Sequence, residues 1–197
     1  MERRIIRIAL AGEGGQGVQS IAQIIAEAAY DEGKQAIYIP NFGVEQRGGV
    51  SIAFLQTSKE RIGAPKFDKG DVVVALSERA VTRTAQYCGP DTIFVYDDSL
   101  DVKPEDLPKE AAQILAIPAV DISNKELHPR VFNIIIMGVL IGLTEVVSFE
   151  DAKAALNHKL GAKFDKNPQL RELNYRALEI GRDLAVKYSG KGAITNG

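Results

Sequence analysis

The residues best placed to do chemistry lie in two glycine-rich stretches. The first is Gly12-Glu13-Gly14-Gly15-Gln16-Gly17, between an apolar run and a segment of helical periodicity. Residues 12, 14 and 17 satisfy the G-x-G-x-x-G spacing. Glycines there permit a tight turn and close backbone approach, and the following helix presents free N–H groups to an anion. A dinucleotide site is one reading of this pattern. It also requires an acid at the end of the second strand to hold a ribose. Here that strand ends Ile39-Pro40-Asn41, and Asp31 and Glu32 precede it. Glu13 adds a negative charge where a pyrophosphate would sit. The loop is therefore read as one that meets a ligand or a partner subunit. An NAD or FAD site and a turn without a ligand are the alternatives.

The second stretch is Phe42-Gly43-Val44-Glu45-Gln46-Arg47-Gly48-Gly49, directly before a strand. A Gly-Gly pair in that place lets the chain approach something closely. Arg47 suits a phosphate or carboxylate; a solvated Glu45–Arg47 pair is the plainer alternative. If the strands run parallel, both loops lie on one sheet edge, at the carboxyl ends where open α/β sheets bind ligands.

Other chemistry is scarce. Cys88 is the only cysteine, so neither an internal disulfide nor a cluster needing about four thiolates can form from this chain. Cys88 precedes the turn signal Gly89-Pro90 and reads as a plain buried or half-buried thiol. His128 and His158 are too few and too far apart to suggest a metal site and read as surface or helix-end residues. No Ser–His–Asp pattern and no diphosphate-binding Gly-Asp-Gly run stand out. The net charge of -2 carries no basic bias toward nucleic acid or an anionic membrane. The most apolar run, Ile134 to Leu143, is about half of what a bilayer span needs. With no signal-peptide pattern at the start, the expected compartment is the cytoplasm.

These loops must be held by an α/β framework. Ile5–Ala11 reads as a buried parallel strand, and Val18, Ile21, Ile24, Ile25 and Ala28 recur at helical spacing up to Gly33. Ala36–Ile39 is a second strand closed by Pro40, which completes a βαβ opening. Further strands are expected from Val50 to Phe54, Asp71 to Leu76, Thr92 to Tyr96 and Gln113 to Ile117. Ser77 is placed to cap a helix running to about Tyr87. Residues 101–112 read as a polar surface excursion. A helix over roughly 129–144 is apolar nearly all round and belongs in a core or an interface. Another starts at Ser148 with Asp151 as a capping-box pair, and the last starts at Pro168. The expectation is one α/β domain over 1–188, three-layered, with a mostly parallel sheet, flanking helices and a helical C-terminal region. Residues 189–197 read as a flexible tail.

Together the two loops resemble the gamma subunit, or gamma domain, of 2-oxoacid:ferredoxin (acceptor) oxidoreductases. The similarity rests on Gly-x-Gly-Gly-Gln-Gly-Val at 12–18 and Phe-Gly-x-Glu-x-Arg-Gly-Gly at 42–49. Ser51, the Ile62/Pro65 stretch, Ile117-Pro118-Ala119, Asn133, Gly138, and Asn174, Ala177 and Gly181 continue it over almost the whole chain. The resemblance implies a subunit of an enzyme that oxidises a 2-oxoacid with coenzyme A, giving an acyl-CoA, carbon dioxide and a reduced acceptor such as ferredoxin. It implies thiamine diphosphate, a divalent metal and iron–sulfur clusters on alpha, beta and delta partners, with coenzyme A as cosubstrate. No catalytic residue and no cofactor held by this chain alone are expected. The resemblance places Gly12, Gly14, Gly15, Gln16, Gly17, Gly43, Glu45, Arg47, Gly48, Gly49, Ser51 and Asn133 at the coenzyme A region or a subunit seam. Among the family's substrates it leans toward 2-oxoglutarate. A free-standing Rossmann-like nucleotide-binding domain and a purely structural scaffold subunit are the competing readings.

Overall fold

The computed structural model describes residues 5–42 and 49–189. Among them, β1 (Ile6–Gly12), β2 (Gln35–Asn41), β3 (Ser51–Ser58), β4 (Val72–Ala75), β5 (Ile93–Asp97) and β6 (Gln113–Ile117) form one sheet. Its order is β2-β3-β1-β4-β5-β6. The pairs β1–β4, β4–β5 and β5–β6 are parallel, whereas β3 runs antiparallel to both β1 and β2. All strands except β3 therefore share one direction, and the sheet is mostly parallel as expected. The opening βαβ unit is present, but β3 slots between its two strands.

Period-two alternation divides the strands between two cores. Ile8, Leu10, Val72 and Val74 face a large cluster with α1 (Val18–Asp31), α4 (Phe132–Thr144), α5 (Phe149–Lys166) and α6 (Pro168–Ser189). Ala9, Ala11, Val73, Ala75 and Phe94 face a smaller cluster with Ala80 and Val81 of α2 (Glu78–Thr84), and with Cys88. The result is three layers. Each fully buried isoleucine or leucine contributes roughly 1.5–3 kcal/mol, so the larger cluster dominates stability.

Several local expectations hold. Ser77 caps α2 by accepting the Ala80 N–H at 3.2 Å. Ser148 caps α5 by accepting the Asp151 N–H at 3.1 Å, and its hydroxyl donates to the Asp151 carboxylate. Residues 134–141 of α4 are all buried, so that helix is core. It is crossed tightly by α6. A Cβ on Gly138 would meet the Leu178 carbonyl and lie 2.9 Å from the Gly181 Cα, and one on Gly181 would meet the Ile135 carbonyl.

Other elements differ from the sequence reading. β2 continues through Pro40 to Asn41. It is an edge strand, and half of an edge strand's N–H groups have no partner, so proline is tolerated. A helix, α3 (Ala119–Glu126), occupies the stretch after β6. Its amino end is capped from β5: Asp97 accepts the Val120 N–H at 2.9 Å. α4 starts at Phe132, after a 3₁₀ turn over Pro129–Val131. The excursion at 101–112 is only partly solvated, because Val102, Leu107 and Ala111 pack on the smaller core. α6 extends to Ser189, the first residue of the expected tail; the rest of that tail lies outside the described residues.

Candidate functional site

β1 and β4 are parallel neighbours, but the chain leaves them toward opposite faces, into α1 and into α2. Such divergence marks the topological switch point of an open sheet, and the crevice lies above the carboxyl ends of the two strands. The first glycine loop fills one side of it.

The loop is built around Gln16. Its Oε1 accepts the Glu13 N–H at 2.6 Å, and its Nε2 donates to the Leu76 carbonyl at 2.6 Å. One side chain thus closes the loop on itself and ties it to the exit of β4. Gly12 makes room for this clamp: a Cβ there would lie 2.6 Å from Gln16 Oε1 and 2.9 Å from Val18 Cγ2. Gly14 and Gly15 form the exposed tip. Gly17 is the N-cap of α1, in the left-handed region at φ 77°. A Cβ on it would collide with the Asn133 amide.

Asn133 stands in the first turn of α4, so the amino ends of α1 and α4 meet at this point. Both ends carry partial positive charge. Asn133 Oδ1 is buried and has no hydrogen-bond partner among the described residues. Glu13 is held away by Arg79 in the first turn of α2, with Nε–Oε1 at 3.2 Å. Both side chains are partly exposed, so this pair adds little stability. It does keep the carboxylate engaged with a cation.

The register brings the second loop's flanks to the same edge. Gly12 pairs with Ser51 at the start of β3, and Asn41 at the end of β2 pairs with Ile52. The Ser51 hydroxyl lies a long 3.5 Å from the Gly12 carbonyl. Gly49 leads into β3 from that edge. Gly43, Glu45, Arg47 and Gly48 lie outside the described residues. The structure thus assembles Gly12, Gln16, Gly17, Ser51 and Asn133, with Gly14 and Gly15 at the tip and Gly49 beside them.

The geometry disfavours a Rossmann site. β2 ends in Asn41 in place of an acid, and β3 separates it from β1. The Gln16 side chain occupies the loop interior that a pyrophosphate would approach.

Asp97 was not singled out by sequence reasoning. It is buried at the carboxyl end of β5, where its carboxylate also accepts the Ser99 N–H at 3.0 Å and the Ser99 hydroxyl at 2.5 Å. A buried acid held by this many donors is a structural cap. Burial, Asp97 and Asp121 together push the neighbouring Asp98 carboxyl upward.

Cys88 is fully buried, and burial pushes its thiol up to about 12. His128 is exposed and accepts the Arg130 N–H at 3.1 Å, and His158 is exposed on α5. Among the described residues no group of three or more His, Cys, Asp or Glu side chains is arranged to hold a metal. No helix among them is long and apolar enough to cross a membrane.

Comparison with known proteins gives a consistent result. Residues 7–184 match the family described as pyruvate ferredoxin/flavodoxin oxidoreductase. The ketoisovalerate oxidoreductase subunit VorA of Methanothermobacter thermautotrophicus is 32% identical over 91% of this chain. This chain spans only 36% of VorA. The 2-oxoglutarate synthase subunit KorC of Methanocaldococcus jannaschii is 34% identical over 76% of this chain and 80% of its own length. Among solved structures, the gamma subunit of a keto/oxoacid ferredoxin oxidoreductase from Geobacter sulfurreducens superposes with a TM-score of 0.77 at 27% identity. That match covers 94% of this chain and 98% of the gamma subunit. A 2-oxoglutarate:ferredoxin oxidoreductase from Magnetococcus marinus, with 2-oxoglutarate, coenzyme A and succinyl-CoA bound, gives 0.84 at 27% identity, over 94% of this chain and 32% of its own.

Proposed function

The chain belongs to the pyruvate ferredoxin/flavodoxin oxidoreductase family, and from that premise we propose that it is the gamma-type subunit of a multi-subunit 2-oxoacid:ferredoxin (acceptor) oxidoreductase. The reaction it supports is the coenzyme A-dependent oxidative decarboxylation of a 2-oxoacid to an acyl-CoA and carbon dioxide. The observation that carries this reading is the end-to-end match with a solved gamma subunit, 94% of one chain against 98% of the other. Relatives bear names for ketoisovalerate, 2-oxoglutarate and pyruvate. We favour 2-oxoglutarate, on the 34% identity with KorC over 80% of that protein.

The chemistry of the residues supports a division of labour. Thiamine diphosphate supplies carbanion stabilisation and iron–sulfur clusters carry electrons in this reading; the sequence has no Gly-Asp-Gly run for the diphosphate and only one thiol for a cluster. A single buried thiol cannot ligate a cluster. Thiamine diphosphate, its divalent metal and the clusters are therefore assigned to alpha, beta and delta partners. This chain contributes an edge. The Gly12–Gly17 backbone and the facing amino ends of α1 and α4 offer N–H groups and positive potential. Together with Arg47, they are assigned to the phosphate region of coenzyme A or to the seam with a partner.

The experiment is affinity capture of the tagged chain from its native cells. Co-purification of chains bearing a thiamine diphosphate motif and Cys-rich cluster motifs is expected. Recovery of the chain alone, at a monomer's elution volume, would contradict the proposal.

A further inference from the structure

β2 is the outermost strand on its side of the sheet, and among the described residues nothing pairs with its free edge. An open edge offers unpaired N–H and C=O groups to another strand. Pro40 has no N–H, and the β2–β3 register runs through it without a bulge. Its nitrogen therefore belongs to the row that points away from β3. Bonding direction alternates along an antiparallel ladder, so Ala36 and Tyr38 also turn their backbone groups outward. Their side chains lie on the larger-core face. On that face, beside the open edge, is a cavity of about 300 Å³ lined by Glu27, Tyr30, Asp31, Ala36, Tyr38 and His158. Tyr30 is 75% exposed. The Tyr38 ring is anchored by its hydroxyl, which donates to Gln19 Oε1 at 2.6 Å. Glu27 Oε1 lies 3.5 Å from Lys159 Nζ, but Glu27 Oε2 is buried with no hydrogen-bond partner, His158 Nδ1 being 3.9 Å away. Asp31 is exposed and has no ion-pair partner among the described residues.

We propose that β2 accepts an extended segment of another protein chain as an added strand, and that an arginine or lysine of this segment enters the cavity. Residues opposed across a ladder project to the same face. A partner residue paired with Ala36 or Tyr38 therefore points into the cavity. Two tyrosine rings attract a cation through their faces. Glu27 and Asp31 complement its charge, and the unpartnered Glu27 oxygen accepts one of its N–H groups. Main-chain bonds would supply affinity and the cavity would supply selectivity, as in other strand additions. Pro40 offers no donor, so the usable edge is its first half. A second copy of this chain, pairing through its own β2, does not fit. Gln35–Asn41 carries no cation to meet these acids. The site lies on the strand's flank and does not depend on the gamma-subunit reading.

The test is an amide NMR titration of the full chain with the capped peptide Thr-Val-Thr-Arg-Thr-Val-Thr and with its counterpart bearing Glu in place of Arg. The Arg peptide is expected to shift the amides of Ala36 and Tyr38 and the ring of Tyr30. The Glu peptide is expected to leave them unmoved. Glu27→Gln with Asp31→Asn is expected to weaken the Arg peptide about ten-fold, as loss of charge-assisted contacts would. Ala36→Pro removes an outward donor and is expected to abolish binding; Pro40 shows that the strand tolerates proline in this row. No shift at Ala36 and Tyr38 with millimolar Arg peptide overturns the proposal. So does equal binding of the Glu peptide, or unchanged affinity in the double variant. Shifts at the same amides on concentrating the chain without peptide would make the occupant a second copy and overturn it too. None of these results touches the capture experiment, so the edge site and the gamma-subunit reading stand or fall separately.

Discussion

The Cα of Gly17 faces the side-chain amide of Asn133, and no Cβ fits between them. This one contact joins the first glycine loop to the start of α4, two elements far apart in sequence. Gly17 is also at φ 77°, where an L side chain is strained. Gly17→Ala therefore carries both a clash and a backbone penalty. It is expected to destabilise by about 1–3 kcal/mol, read from the urea midpoint. Asn133→Gly should recover the clash and leave the backbone part. Additive effects of the two substitutions would contradict the contact.

The crossing of α4 and α6 is a second place where glycine is compulsory. Gly138→Ala and Gly181→Ala each drive a methyl into a backbone carbonyl of the facing helix. Each is expected to cost about 3 kcal/mol or more, at or above the upper range for overpacking. Gly14→Ala, with nothing within 4 Å of its Cβ, is the control and should stay within about 0.5 kcal/mol of the parent. Thermal unfolding of the three variants separates these outcomes.

Much of this framework was legible in the sequence. The spacing from Val18 to Ala28 produced α1, and Ser77 and Ser148 each cap the helix they precede. These signals are local, and local chemistry decides them. α3 was missed because its cap comes from Asp97, more than twenty residues upstream. The insertion of β3 between β1 and β2 was missed because pairing partners are not encoded in periodicity. At the site, the glycines and Asn133 could be named, but the Gln16 clamp onto Leu76 could not. It depends on the β1–β4 register.

Cys88 is expected to be inert in the folded protein. Burial holds its thiol pKa up at about 12, above the ordinary value of 9.0 that represents the unfolded chain. The unfolded state therefore loses its proton first as pH rises. The associated stability is fully present below pH 9.0 and is lost as pH climbs toward about 12. Iodoacetamide at pH 8 should label Cys88 only after denaturant is added. Cys88→Ala should flatten the decline in the unfolding midpoint above pH 9. Rapid labelling of the native chain would contradict this.

Asp97 couples β5 to α3 through the Val120 N–H. Asp97→Ala leaves buried donors unsatisfied and is expected to cost about 1–3 kcal/mol. Hydrogen exchange should speed up first at the amino end of α3. Uniform acceleration across the chain, with no preference for α3, would argue against the cap.

Arg47 links the sequence motif to the proposed reaction. In the assembled complex, Arg47→Ala is expected to raise KM for coenzyme A about ten-fold or more, as loss of a charge-assisted contact would, or to weaken assembly. Unchanged KM, unchanged kcat and intact assembly together would remove both roles.

The gamma-subunit reading is tested most directly by dye-coupled turnover. Reduction of a viologen by 2-oxoglutarate and coenzyme A is measured with this chain alone, with its captured partners, and with those partners after this chain is removed. Turnover is expected only when chain and partners are combined. Robust turnover by the isolated chain, or undiminished turnover by partners lacking it, would contradict the assignment.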